Sequence, residues 1–293
     1  MKVGVIGTGI MGEPMARNLA RAGNQMFIHS RTRGRANALL AEGMIWCDSA
    51  AELAQSVEAV VSIVPDSSDV REVYFMRDGV CETLRPGTLC IDMSTIDPGV
   101  SKEVCAQIQS RGGRFLDAPV SGGKTGAHAG TLTIMVGGDE EDLQFAMPLF
   151  QAIGKNIVHC GPVGNGQLTK LCNQILCGLN LLAVCEAMVF ARKSGLDPAV
   201  MHKAVCTGAA GSWALQNLGQ RMLDRDFAPM FMIDLQQKDL RLVLQQAGAL
   251  AAPMPGTALV HELLRASQAA GEGREGTQAL LKTLERLGAI QVA

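Results

Sequence analysis

The chain has 293 residues, 47 % of them apolar but only 4 % aromatic, and a formal net charge of −2 at pH 7. Such a length predicts two domains of roughly 100–200 residues, each burying a core of small and aliphatic side chains, as suits helices laid on a parallel sheet. The charge excludes a general nucleic-acid binder, because a polyanion partner requires a basic face that displaces counterions from phosphates.

The chain opens on Met1-Lys2-Val3-Gly4-Val5-Ile6, without the basic start, long apolar stretch and cleavage site of a signal peptide, so a cytoplasmic location is expected. From residue 1 to about 160, short β-branched runs alternate with helix-like segments, the spacing of βαβ units. Strands are predicted at 2–6, 26–29, 59–63, 88–92, 114–117 and 132–137, with helices such as 12–22 and 35–41 between them. After Gly161-Pro162-Val163-Gly164 strand-like runs almost vanish and helical periodicity continues, so the boundary is set there: 1–161 for the first domain and 162–293 for the second. A helix from Asn165 to about Lys193 is apolar nearly all round and is expected to be buried on every side, between domains or subunits. Its richest stretch, 175–191, is interrupted by Asn180 and Glu186 and falls short of the ~20 residues of a bilayer span, so no membrane partner is expected. The nine cysteines lie mostly in apolar runs without C-x-x-C spacing and read as reduced core residues, with no metal site. The tail after Glu272 is polar and carries no assigned function.

Gly7-Thr8-Gly9-Ile10-Met11-Gly12 fits G-x-G-x-x-G between an apolar strand and a helix, the setting that gives each glycine a task in binding a dinucleotide. Gly7 permits the tight turn, Gly9 lets backbone approach a pyrophosphate, and Gly12 lets helix and strand pack; the helix N-terminus then meets the phosphates with unpaired N–H groups. A glycine-rich turn without a ligand is the bland alternative. Roughly 20 residues on, an acid would hold the ribose 2′-hydroxyl of NAD(H). Here the chain reads His29-Ser30-Arg31-Thr32-Arg33. Arg31, helped by Ser30 and Thr32, favours the 2′-phosphate of NADP(H), because guanidinium pairs bidentately with phosphate. The alternatives are that Arg31 stacks on the adenine, and that Arg33 or Arg35 shares the phosphate. Two strand-ending loops, Val64-Pro65-Asp66 and Asp92-Met93-Ser94-Thr95, are candidates to border the nicotinamide half.

Asp117-Ala118-Pro119-Val120-Ser121-Gly122-Gly123 is rich in small residues that let a carboxylate reach backbone N–H groups, with Ser121 as a further donor; a flexible loop is the equal alternative. In Gly164-Asn165-Gly166-Gln167-Leu168-Thr169-Lys170-Leu171-Cys172-Asn173-Gln174, the residues Lys170, Asn173 and Gln174 project from one helix face, and Gly166 is expected to clear space beside Lys170. A polar cluster facing a cavity is the functional reading, since a lysine and two amides in so apolar a helix are costly unless used. A snorkelling lysine is the other.

Four segments, 7–18 (GTGIMGEPMARN), 117–132 (DAPVSGGKTGAHAGTL), 164–174 (GNGQLTKLCNQ) and 231–240 (FMIDLQQKDL), together resemble the β-hydroxyacid dehydrogenase family, which includes 3-hydroxyisobutyrate dehydrogenase, tartronate semialdehyde reductase and the glyoxylate/succinic semialdehyde reductases. The resemblance implies an α/β Rossmann domain, mainly a parallel doubly wound sheet, followed by an all-α domain joined by a long helix, in a homodimer or homotetramer. It implies Lys170 as the catalytic lysine; Ser121, Gly122 and Gly123 as the substrate-carboxylate loop; Asn173 as an amide that orients the substrate; and Thr95 and Lys238 as residues that contact or close over the cofactor. Gln174 stands where many members have a second Asn, and Ser30 replaces the acid of NAD-using members. Trp213 and Phe231 lie where specificity varies, and their roles stay open.

The expected function is NADP(H)-dependent reduction of a small carboxylate-bearing aldehyde to its hydroxy acid. The cation of Lys170 would meet the negative charge that develops on the carbonyl oxygen and donate the proton. The rivals are an NAD(H)-linked 3-hydroxyisobutyrate-type dehydrogenase, a phosphogluconate-type decarboxylating enzyme, an imine reductase, and a catalytically silent NADP-binding module.

Overall fold

A computed structural model describes residues 1–293. The chain divides into two compact units, Met1–Lys170 and Leu171–Ala293.

The first unit alternates strand and helix in the order β1 (Lys2–Ile6), α1 (Gly12–Arg21), β2 (Gln25–His29), α2 (Asn37–Ala41), β3 (Ile45–Trp46), α3 (Ala50–Ser56), β4 (Ala59–Ser62), α4 (Ser67–Phe75), α5 (Val80–Thr83), β5 (Leu89–Asp92), α6 (Pro98–Gln109) and β6 (Arg114–Asp117). These six strands form one parallel sheet in the order β3-β2-β1-β4-β5-β6. Side chains alternate across it, as strand geometry requires. Val5, Val61, Ile91 and Leu116 enter a core with Met15 and Leu19 of α1, whereas Ile6, Val60, Cys90 and Phe115 enter a second core with Leu53, Val70 and Ile108. Burial on both faces explains the continuous apolar runs that announce these strands. The chain order reverses between β2-β1 and β4-β5, and ligands of open α/β sheets bind at that switch, beyond the carboxyl ends of the strands.

β7 (Val120–Ser121), α7 (Gly123–Ala129), β8 (Leu132–Val136), α8 (Glu140–Ile153) and β9 (Gly154–His159) complete the unit up to the start of α9 (Asn165–Lys193). β7, β8 and β9 form a separate three-stranded sheet, β7 antiparallel and β9 parallel to β8. The segment 117–123, read from sequence as a flexible loop in one alternative, instead closes β6, forms the short strand β7 and enters α7. The predicted helix 35–41 begins instead with a 3-10 turn at Arg33–Ala36.

The second unit is helical: the rest of α9 is followed by α10 (Pro198–Val205), α11 (Trp213–Leu223), α12 (Ile233–Ala249), α13 (Pro255–Ala269) and α14 (Leu280–Gly288). Leu181, Cys185 and Met188 of α9 share a core with Met222, Leu240, Leu264 and Leu280. The C-terminal segment is built in: Leu280 and Leu281 are fully buried, and Arg286 of α14 grips Glu272 at 2.6 Å. Within a single chain α9 is buried along one flank only, and Leu176 and Phe190 on its other side are 62 % and 74 % exposed. By length and composition alone the whole helix, Asn165–Lys193, is apolar enough to cross a membrane, a test that the core helix of a soluble protein passes as well. Cys172 and Cys177 lie on that outer side and are exposed, unlike the buried Cys47, Cys81, Cys90, Cys105 and Cys185.

Candidate active site

At the end of β1, Gly7 takes φ +99°, a conformation open to glycine, and its N–H donates to the His29 carbonyl at 2.9 Å. A Cβ at Gly12 would collide with the Gly7 carbonyl oxygen, so Gly12 serves the packing of turn against helix. Gly9 differs: a Cβ there would meet nothing within 4 Å. Thr8 is buried and its Oγ1 has no hydrogen-bond partner within the protein. A cradle that a side chain would fill, beside a buried hydroxyl lacking an internal partner, fits a pyrophosphate laid against this turn. Ile10 is exposed and Met11 half-buried just before α1.

At the end of β2, Ser30 is half-buried while Arg31 and Thr32 are exposed. The Arg31 guanidinium lies 3.4 Å from Asp69, a weak surface contact that leaves its donors available to a phosphate. Arg33 is turned elsewhere, over the Trp46 ring at 5.3 Å and toward Asp48 at 3.7 Å. Trp46 and Asp48, at the end of the edge strand, carried no signal in the sequence.

The next two strand ends are joined by buried polar contacts. Asp92 Oδ1 accepts from Ser62 Oγ at 2.8 Å and from Ser94 Oγ at 2.7 Å, and Ser94 Oγ accepts from the Val64 N–H at 2.9 Å. Tyr74 OH completes the group 3.0 Å from Ser62 Oγ, with its phenol pushed well above the usual range by full burial. The loops carrying Val64-Pro65 and Thr95 are therefore fixed to each other. Ser62 and Tyr74 were not singled out from the sequence, which marks only the Asp and Ser that close the strand.

Asp117 ends β6, fully buried. Its Oδ1 accepts from the Gly164 N–H at 2.7 Å and its Oδ2 from the Gln167 N–H at 2.8 Å, where α9 begins. Lys170, one turn on, is 6 % exposed. Gly166 does not clear space for Lys170, as expected from spacing: its Cβ would lie 2.5 Å from the Met135 carbonyl and 2.6 Å from that of Asp117. The glycine exists because helix backbone rests on strand backbone. Ser121 pairs with Thr133 in the small sheet, and Gly122 and Gly123 turn the chain into α7 with φ of 130° and 59°. Asn18 of α1 holds that helix by donating to the Ala127 carbonyl at 2.8 Å.

In the second unit, Asn173 Nδ2 donates to Gln174 Oε1 at 2.7 Å, and Gln174 Nε2 donates to Asp239 Oδ2 at 2.6 Å. Lys238 Nζ lies 2.7 Å from Asp239 Oδ1. The structure thus joins Asn173, Gln174 and Lys238 through Asp239, a residue that the sequence did not single out. Trp213 begins α11 and is 60 % exposed, and Phe231 is half-buried.

Two family models match the chain. One is described as the NAD binding domain of 6-phosphogluconate dehydrogenase and covers residues 2–161; the other, NAD-binding of NADP-dependent 3-hydroxyisobutyrate dehydrogenase, covers 164–284. The chain is 44 % identical over 294 residues to 2-hydroxy-3-oxopropionate reductase of Escherichia coli (strain K12), with 100 % of both chains covered. It is 38 % identical to NAD-dependent L-serine dehydrogenase of Pseudomonas aeruginosa, over 90 % of this chain and 91 % of the relative. Among solved structures, 3-hydroxyisobutyrate dehydrogenase of Mycobacterium tuberculosis with L-serine superposes with a TM-score of 0.89 at 33 % identity, covering 97 % of this chain and 98 % of that one.

Proposed function

The chain belongs to the β-hydroxyacid dehydrogenase family of NAD(P)-binding oxidoreductases, and we propose that it is an NADP(H)-dependent reductase that converts a small aldehyde acid, of the tartronate semialdehyde or succinic semialdehyde/glyoxylate type, into its hydroxy acid. The observation that carries this reading is Lys170, a lysine buried to 6 % exposure one turn after the anchored start of α9. The likeness to 2-hydroxy-3-oxopropionate reductase supports the substrate class.

In this reading the turn 7–12 holds the pyrophosphate, Val64, Pro65, Thr95 and Lys238 border or cover the dinucleotide, and Ser30, Arg31 and Thr32 take the 2′-phosphate. Bound NADPH supplies hydride to the aldehyde carbon. Ser121, Gly122 and Gly123 hold the substrate carboxylate, and Asn173, itself oriented by Gln174, aligns the carbonyl. As the carbonyl π pair moves onto oxygen, Lys170 meets the growing charge and gives up one proton, yielding the hydroxyl and a neutral amine that is reprotonated from solvent. Nine free cysteines support a reducing, cytosolic setting, and the exposed apolar side of α9 supports a homodimer or homotetramer. The likeness to an NAD-dependent L-serine dehydrogenase favours a second reading, an NAD-linked enzyme of the 3-hydroxyisobutyrate type working toward oxidation.

Turnover of an aldehyde-acid panel with NADPH and NADH in parallel tests the two readings. NADPH is expected to bind more tightly, with Arg31→Ala removing much of the difference; equal affinities in the unmodified protein refute the phosphate assignment. Lys170→Ala is expected to leave NADPH affinity intact and to lower kcat by a factor on the order of 10²–10⁴. Near-normal turnover would make Lys170 structural.

A further inference from the structure

The geometry points to Asp117 and Gln167 as positioning residues: they hold the first turn of α9, and so the ammonium of Lys170, in register with the loop that carries Thr95. The inference rests on the reading of Lys170 as general acid.

Asp117 is clasped at its own strand end, its N–H donating to the Gly137 carbonyl at 3.0 Å and its carbonyl accepting from the Gly137 N–H at 2.8 Å. From there its two carboxylate oxygens take the Gly164 and Gln167 N–H groups. An ordinary N-cap comes from the residue just before the helix; this one comes from 47 positions before Gly164, so it ties helix to strand as well as capping it. Gln167 makes the second tie. Fully buried, it accepts from the Ile96 N–H through Oε1 at 3.1 Å and donates from Nε2 to the Ser94 carbonyl at 2.8 Å, the two residues that flank Thr95. Ser94 is in turn held by Asp92 and holds Val64. A run of hydrogen bonds, half-buried at Val64 and buried from Ser94 onward, therefore leads from the β4 loop through the β5 loop to the helix turn that precedes Lys170, while Asp117 fixes that turn to β6.

Stability alone does not account for this arrangement. Burial pushes the Asp117 carboxyl up to about 7, against the pull of backbone N–H groups that include those of Gly164 and Gln167, and well-packed apolar side chains often serve a fold as well as buried charges do. Placement of a proton donor, by contrast, is exacting, since a misplacement of about 1 Å can cost on the order of 10²-fold in rate.

The test is a double-mutant cycle on kcat, with substrate KM and NADPH Kd recorded for each protein. Asp117→Asn keeps the shape of the side chain but sets an amide NH₂ against a backbone N–H. Alone it is expected to lower kcat about 10–100-fold, with KM and Kd within about threefold of the unmodified values. Added to Lys170→Ala it is expected to cost less than about twofold, because the lysine it positions is gone. Equal factors in both backgrounds overturn the positioning role and leave the reading of Lys170 standing. A Lys170→Ala protein with near-normal turnover overturns the general-acid reading itself and the positioning role with it. Should Asp117→Asn fail to fold, Gln167→Met, which removes both bonds to the β5 loop, runs the same cycle with the same deciding outcomes.

Discussion

Asp117 carries an opposition between stability and placement. Its carboxyl is raised from the 3.8 of an exposed aspartate to about 7, chiefly by burial, with Asp92 on the neighbouring strand pushing the same way and three backbone N–H groups, those of Gly164, Gln167 and Asp117 itself, pulling it down. A carboxyl whose pKa is higher folded than unfolded binds its proton more tightly in the folded chain. Its stabilising contribution is therefore fully present below about pH 4 and is lost as pH rises through about 7. The unmodified protein should lose stability relative to Asp117→Asn between about pH 5 and pH 7, with the difference level above about pH 8. Urea unfolding of both proteins across that range measures it; a difference that is flat, or that moves in favour of the unmodified chain as pH rises, contradicts the shift. The ionised form, disfavoured by burial, is also the form that offers both oxygens as full acceptors to the start of α9. Residues held in a costly state for the sake of geometry are a recurrent source of the stability–activity trade-off.

The turn between β1 and α1 separates, within one element, the glycine that the fold requires from the one that a ligand requires. Gly12→Ala drives a methyl group onto the Gly7 carbonyl and should cost about 1–3 kcal/mol of stability, in the manner of an overpacked core. Gly9→Ala meets nothing, so its melting temperature should be unchanged while NADPH affinity falls by about tenfold or more, a loss of ~1.4 kcal/mol or more. Thermal scans beside fluorescence titrations read both. A Gly9→Ala protein that binds NADPH normally removes the pyrophosphate from this turn. The same contrast marks what was legible in the sequence. β1, β4 and β5 show themselves as apolar runs because both faces of the sheet are buried, and their ends lie within one residue of those predicted. β9 hides, because its exposed Lys155 and Asn156 give no pattern, and two-residue strands such as β3 and β7 are too short to have one. Gly7, Gly9, Gly12 and Lys170 stood out through residue type and local spacing. Gln167 did not, since its hydrogen bonds reach across 71 and 73 positions, and no local spacing records a partner so distant. Asp239 stayed hidden for the same reason, 65 positions from Gln174.

At the scale of the whole molecule, the outer side of α9 is the feature that a single chain leaves unexplained. Cys172, Leu176, Ala183, Glu186 and Phe190 are exposed and Leu179 is half-buried, at steps of four, three, four, three and four residues. That is the seam by which one helix packs lengthwise on another. Leu176 and Phe190 stay largely in water, which forgoes roughly 1.5–3 kcal/mol of burial for each side chain. A lipid partner fits poorly, because Asn180 and Glu186 lie on the same side and polar groups are expensive in hydrocarbon. A second copy fits, since a two-fold axis across the seam sets the stripe against itself and buries the same residues twice. The unmodified protein should therefore sediment as a dimer or tetramer at micromolar concentration, and Leu176→Glu combined with Phe190→Glu should reduce it to a smaller species by setting like charges face to face. Circular dichroism checks that the variant remains helical, so that lost assembly is not confused with lost fold. An unmodified chain that sediments as a monomer refutes the assignment outright. An oligomer that survives both charges shows instead that its interface lies elsewhere, on another of the exposed apolar residues such as Trp213, Leu250 or Leu259.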